Sequence, residues 1–160
     1  MNTSIDHTEF RIVPLAVDLA DRIRQTLADE FGNRLAVWET DSVPCRLCLQ
    51  RTKPGEPVIL FAHRPFDFTG PYAEVGPIFI HARACERYSD SNLFPPDFAD
   101  RMLTMRGYNA DGRIETAELS ERGNPEATIG KLFANARVQF VHVRNPAWGC
   151  YDFRVERERT

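Results

Sequence analysis

Residues 138–156 read Val138-Gln139-Phe140-Val141-His142-Val143-Arg144-Asn145-Pro146-Ala147-Trp148-Gly149-Cys150-Tyr151-Asp152-Phe153-Arg154-Val155-Glu156, two apolar runs around a loop of Asn, Pro and Gly. Side chains that alternate at a period of two mark a strand, and the loop joins the two runs into an antiparallel hairpin. In that hairpin Val141 and Val143 must share a face with Tyr151, Phe153 and Val155, because only this face has apolar surface to bury. The opposite face then carries Phe140, His142 and Arg144 on one strand and Cys150, Asp152 and Arg154 on the other. With Arg144 opposite Cys150, His142 stands opposite Asp152, and Cys150 lies on its diagonal at about 7 Å. In that register Asp152 would orient the imidazole of His142 and His142 would activate the Cys150 thiol, which makes these three the candidate catalytic groups. Arg144, Arg154 and His142 are the candidate ligand-binding groups, since two guanidiniums beside an imidazole suit an anion. A solvated outer face is the competing reading.

Outward from the hairpin, the same alternation predicts further short strands at 10–13, 35–39, 45–50, 58–63, 78–82, 103–108 and 113–119. Asn109-Ala110-Asp111-Gly112 joins the last two as a tight turn, because Asp-Gly supplies the positive φ that such turns need. Helical signals occur twice. Leu15, Leu19, Ile23, Leu27 and Phe31 recur every four residues between Pro14 and Gly32, and Ile129, Leu132, Phe133 and Ala136 form one face behind Asn124-Pro125. Strands in succession with two helices interposed predict an α+β fold, a mainly antiparallel sheet covered by two main helices, in one domain spanning 1–160.

The charge balance is even: 20 Lys plus Arg stand against 23 Asp plus Glu, a net charge of -3, with both signs spread along the chain. That distribution argues against nucleic acid as a partner, because phosphate binding needs a concentrated cationic surface. Met1 to His7 shows neither the cationic start nor the apolar stretch of a signal peptide, and no apolar run approaches the roughly 20 residues of a membrane span. The expected address is cytoplasmic, with no membrane partner, and there the four cysteines are expected as thiols.

Four ordered segments resemble one known family: Pro44-Cys45-Arg46-Leu47-Cys48-Leu49, Gly76-Pro77-Ile78-Phe79-Ile80-His81-Ala82, Arg106-Gly107-Tyr108-Asn109-Ala110-Asp111-Gly112, and Val141-His142-Val143-Arg144-Asn145 followed by Gly149-Cys150. They are similar to the bacterial family called domain of unknown function 1203, over about Pro44 to Arg157. The resemblance implies a bacterial, single-domain protein. It implies no activity and no catalytic residue.

Two constellations bear on metals. Cys45-x-x-Cys48 with His81-x-x-x-Cys85 supplies four soft ligands of the kind that zinc takes. Against this, the alternation of Cys45, Leu47 and Leu49 with Arg46, Cys48 and Gln50 predicts a half-buried strand, in which Cys45 and Cys48 would face opposite sides. On that geometry no cofactor is favoured, zinc is the secondary reading, and the thiols are expected to be structural. His63, His81 and His142 each follow a Phe by two residues in an expected strand, so three imidazoles would converge only if those strands were neighbours.

The motifs of phosphate-binding loops, dinucleotide folds, serine-hydrolase elbows and zinc proteases do not occur in the sequence. The sequence therefore favours a binding module that holds a small anionic ligand or a protein partner on a polar sheet face. A thiol- or metal-dependent enzyme is the alternative.

Overall fold

The computed structural model describes residues 9–158; Met1 to His7, read above for an export signal, lies outside them. Among the described residues the order is β1 (Phe10–Val13), α1 (Val17–Thr26), β2 (Val37–Glu39), β3 (Pro57–His63), β4 (Gly76–His81), α2 (Pro96–Ala99), β5 (Thr104–Tyr108), β6 (Ile114–Leu119), α3 (Pro125–Phe133), β7 (Phe140–Arg144) and β8 (Tyr151–Arg157). The fold is α+β, as expected, but the strands form two sheets: a five-stranded one in the order β1-β8-β7-β5-β6 and a three-stranded one in the order β2-β3-β4. All strand pairings within both sheets are antiparallel.

Each sheet has its own core. One face of the five-stranded sheet presents Met105, Val141, Val143, Phe153 and Val155 to Ile129, Leu132 and Phe133 of α3, and Phe94 and Phe98 close the same core. The three-stranded sheet packs Ile59, Phe61, Ile78 and Ile80 against Ala20 and Ile23 of α1 and against Cys45, Leu47 and Cys48. Leu49 belongs to the first core and Leu47 to the second, so residues 45–49 lie where the two cores meet.

The first helix is shorter than its apolar period predicts. It ends at Thr26, and Leu27 turns into the left-handed region at φ 47°. The cause is Asp29, whose carboxylate accepts the backbone N–H groups of Phe31 and Asn33, and across the sheet that of Ala62. A short acidic side chain offers the backbone these alternatives to the helical bond. The third helix begins with Pro125 at its first position, as its sequence predicts.

Two strand expectations need correction. Residues 45–50 are not a strand. Cys45 N–H bonds Gln50 O at 3.0 Å, Leu49 N–H bonds Cys45 O at 2.9 Å, and Leu49 sits at φ 55°. This is a tight turn, and its apparent alternation misled because Cys45 to Leu49 are all buried, polar and apolar alike. Even Arg46, which looked like the solvent-facing member, is 2% exposed.

The C-terminal hairpin is formed, but in another register. Val141, Val143, Phe153 and Val155 share the core face, as expected, but Val141 pairs with Val155 and Val143 with Phe153, so that His142 stands opposite Arg154, and Arg144 stands opposite Tyr151. Asp152 is the extra residue of a bulge between Tyr151 and Phe153 on β8, and a bulge puts the side chains on its two sides out of step, so that those beyond it change face. Tyr151 therefore joins His142 rather than the valines. That face is also not solvated: Phe66 lies on it with its ring centroid 4.7 Å from that of His142.

Candidate metal site

The turn at 45–50 brings Cys45 and Cys48 to one side of the chain, the opposite of what a strand would do. Its outer edge joins β4, where Arg46 N–H bonds Phe79 O at 3.1 Å. His81 ends β4, and the chain then bends so that Cys85 returns to within 3.9 Å of Cys45, sulfur to sulfur. Cys48 Sγ lies 3.5 Å from His81 Nδ1. All four ligand atoms lie within 4.8 Å of one another.

These distances have a meaning for zinc. A tetrahedral zinc with sulfur at about 2.3 Å and nitrogen at about 2.0 Å sets S···S edges of about 3.8 Å and S···N edges of about 3.5 Å. The two contacts fall on those edges.

The surroundings support the donors. His81 Nε2 meets a carboxylate oxygen of Glu56 at 3.0 Å, which leaves Nδ1 turned toward the sulfurs. That carboxylate is itself fixed by the Lys53 N–H at 2.9 Å. The His81 backbone N–H points at Cys45 Sγ (3.4 Å), and Arg24 Nη2 reaches Cys85 Sγ at 3.3 Å while its Nε holds His81 O at 3.0 Å. Donors aimed at sulfur favour thiolate over thiol.

The proton balance follows the same geometry. Hydrogen bonds from Cys48 and then Cys85 push the Cys45 thiol far down, and the bond to Cys45 pushes Cys48 up. Bonds to Cys45 and Cys85 raise His81 to about 10. One thiolate, Cys45, is thus balanced by the His81 imidazolium, and a metal ion would take the place of the shared protons, since its ligands must be deprotonated. A cavity of about 430 Å³ opens over Cys48, His81 and Cys85, with Glu56 and Arg83 on its rim.

The other candidates lie elsewhere. His142 is fully buried among the rings of Phe66, Tyr108, Phe140 and Tyr151, at centroid distances of 4.7, 5.0, 5.2 and 4.8 Å. Neither of its nitrogens has a hydrogen-bond partner among the described residues. Burial, and then Arg144 and Arg154, holds its pKa well below the usual range. Asp152, expected beside His142, instead pairs with Arg46 at 3.4 Å, both buried. Cys150 directs its thiol at Trp148 O at 3.9 Å.

Arg144 donates to Gly149 O at 3.1 Å, and Arg154 lies over the Phe140 ring at 3.8 Å with Glu156 at 2.9 Å. Of the three Phe-x-His histidines, His63 and His142 both approach Tyr151, at centroid distances of 6.2 and 4.8 Å, whereas His81 belongs to the cysteine cluster. Glu56 and Arg24 were missed by sequence reasoning. Glu56 had a signal, since it follows the Pro54-Gly55 turn into β3, the strand that pairs with β4 and sets Val58 against His81.

The sequence profile of the family described as "Protein of unknown function (DUF1203)" matches residues 42–157, which include all four cluster residues. No curated protein and no solved structure matches the chain.

Proposed function

We propose that this chain, which belongs to the DUF1203 family, is a zinc-held binding module, with Cys45, Cys48, His81 and Cys85 as a closed ligand set. The observation that carries this is the convergence of four soft donors from three separate segments to within 4.8 Å. Zinc accepts three sulfurs and one imidazole in sites that stabilise a fold, and four protein ligands leave no open position for a substrate, which catalytic zinc requires. Glu56 on the distal nitrogen of His81 is the outer carboxylate that such histidines use to fix ring orientation and raise basicity.

The function assigned to the metal is mechanical. The ion ties the 45–50 turn to the end of β4 and to the segment carrying Cys85, and so sets the seam between the two cores. A reducing compartment such as a bacterial cytoplasm suits this site, because oxidation would consume the thiolates.

The test is elemental analysis of protein purified without added metal, followed by thermal unfolding with and without a chelator. About one zinc per chain, with unfolding moved to lower temperature on chelation, is the expected result. An intact fold with the same unfolding temperature, no metal and four freely reactive thiols would reject the reading.

A further inference from the structure

The turn that carries the cysteines has a second side. Arg46 and Arg51 lie on it and, with Arg101, line a separate cleft of about 610 Å³ that lies against Asp152 and Cys150. This volume is in the range of pockets that enclose a small organic molecule.

The chemistry of the lining is uneven in a useful way. Three guanidiniums (Arg46, Arg51, Arg101) face one carboxylate, Asp152, in a chain whose net charge is -3. Arg46 is used up: it bonds Tyr151 O at 2.8 Å and Pro44 O at 2.7 Å and pairs with Asp152. The other two are not. Arg51 is held through Nε by the Ser42 hydroxyl at 2.9 Å and through Nη2 by Ser42 O at 2.5 Å, which leaves its Nη1 uncommitted. None of the ion pairs among the described residues involves Arg101. Burial, and then the neighbouring Arg101 charge, lowers the pKa of Arg51. A shared anion relieves two such neighbours.

The remaining wall is apolar, built by Phe79, Phe98 and Met102, and Trp148 stands at the edge with 83% of its surface exposed. Met102 is 48% exposed. Large apolar side chains left open around a cationic floor are the complement of a flat apolar body with an anionic head.

We propose that this cleft binds a small organic anion, an acidic head on a flat apolar body, with Arg51 and Arg101 on the head and Trp148 against the body. The site is distinct from the cysteine cluster and stands whether or not that cluster holds metal.

The experiment uses the protein as purified and two fluorescent probes that share one body. Anilinonaphthalene sulfonate carries the anion; N-phenyl-1-naphthylamine lacks it. The expected result is saturable one-to-one binding of the sulfonate, with the neutral probe about tenfold weaker or worse, a difference of about 1.4 kcal/mol. Arg101→Gln, with unchanged thermal unfolding, should weaken the sulfonate about tenfold and leave the neutral probe unaffected. Added salt should do the same, a measurement that needs no variant. Displacement by 2-naphthoate or by 2-naphthyl phosphate shows whether a carboxylate or a phosphate head is preferred, and displacement by either supports the site. Equal affinity for both probes, indifference to Arg101→Gln and to salt, or displacement by neither competitor would overturn it.

Discussion

His81 and His142 both follow a phenylalanine by two residues in an antiparallel strand, and they end in opposite chemical states. At His81 both ring nitrogens are engaged, one by Cys48 and one by Glu56, and the surrounding sulfurs raise its pKa to about 10. At His142 neither nitrogen is engaged, four aromatic rings surround it, and burial keeps it neutral. The same short motif thus yields a member of a cysteine cluster in one sheet and a packing element in the other. What differs is the partner across the gap: a turn of cysteines beside β4, and the Phe66 segment over β7.

The comparison breaks first at the cluster. Replacing Cys85 by Ser should abolish stoichiometric zinc and lower the unfolding temperature by about 10 °C, a loss of roughly 3 kcal/mol in a domain of this size. Calorimetry of the variant with and without added zinc checks this, and an unchanged transition would refute the mechanical role.

At the aromatic face the corresponding disruption is Gly112→Ala. Gly112 has φ +75°, and a Cβ there would meet the Phe68 ring at 2.6 Å. Phe68 packs on Phe66, which covers His142, so the clash passes into the cage. The expected cost is about 2 kcal/mol by denaturant unfolding. Gly55→Ala, also at positive φ but with nothing near its Cβ, should cost about 1 kcal/mol or less. Equal costs would remove the cage from the account.

The two regions also predict an acid response. Burial pushes His63 down to about 4 and His142 well below its usual value, so below about pH 6.5 the unfolded chain binds two protons that the folded chain refuses. Asp152 has the opposite sign: burial, opposed by Arg46, raises it to about 6, so there the folded chain binds the extra proton. Two protons less one leaves a net of one, and stability should fall by about 1.4 kcal/mol per pH unit between roughly pH 6 and 4. His142→Phe removes one of the two and should flatten the fall. An unaltered slope in urea titrations across that range would show that His142 ionises freely.

The smallest expected effect on the fold is that of Glu56→Gln at the surface. It should leave the unfolding temperature at saturating zinc unchanged while weakening zinc by about tenfold to a hundredfold, as competition with a chromophoric chelator would measure.

Much of this molecule was legible in its sequence. Eight of the strand positions, both main helices, the Asp-Gly hairpin and the burial of Val141, Val143, Phe153 and Val155 follow from period and turn chemistry alone. The failures are local and have one kind of cause. Residues 45–50 alternate like a strand although Cys45 to Leu49 are all buried, so polarity no longer reports on exposure, as Arg46 illustrates with its buried partner Asp152. The hairpin register slipped by two residues, one at the loop, where Arg144 faces Tyr151 rather than Cys150, and one at the bulge of Asp152, which no alternating pattern reveals. The cysteine and histidine spacing was visible throughout, but only the backbone of the turn decides whether Cys45 and Cys48 face the same way.

The most direct measurement is the absorption spectrum of the protein titrated with cobalt(II), which occupies zinc sites and reports their geometry. Binding at Cys45, Cys48, His81 and Cys85 predicts saturation at one equivalent, with strong visible bands of tetrahedral cobalt and near-ultraviolet thiolate charge transfer, both abolished by one equivalent of zinc and absent in Cys48→Ser. A weak spectrum of hydrated octahedral cobalt, or bands unaltered in Cys48→Ser, would contradict the site.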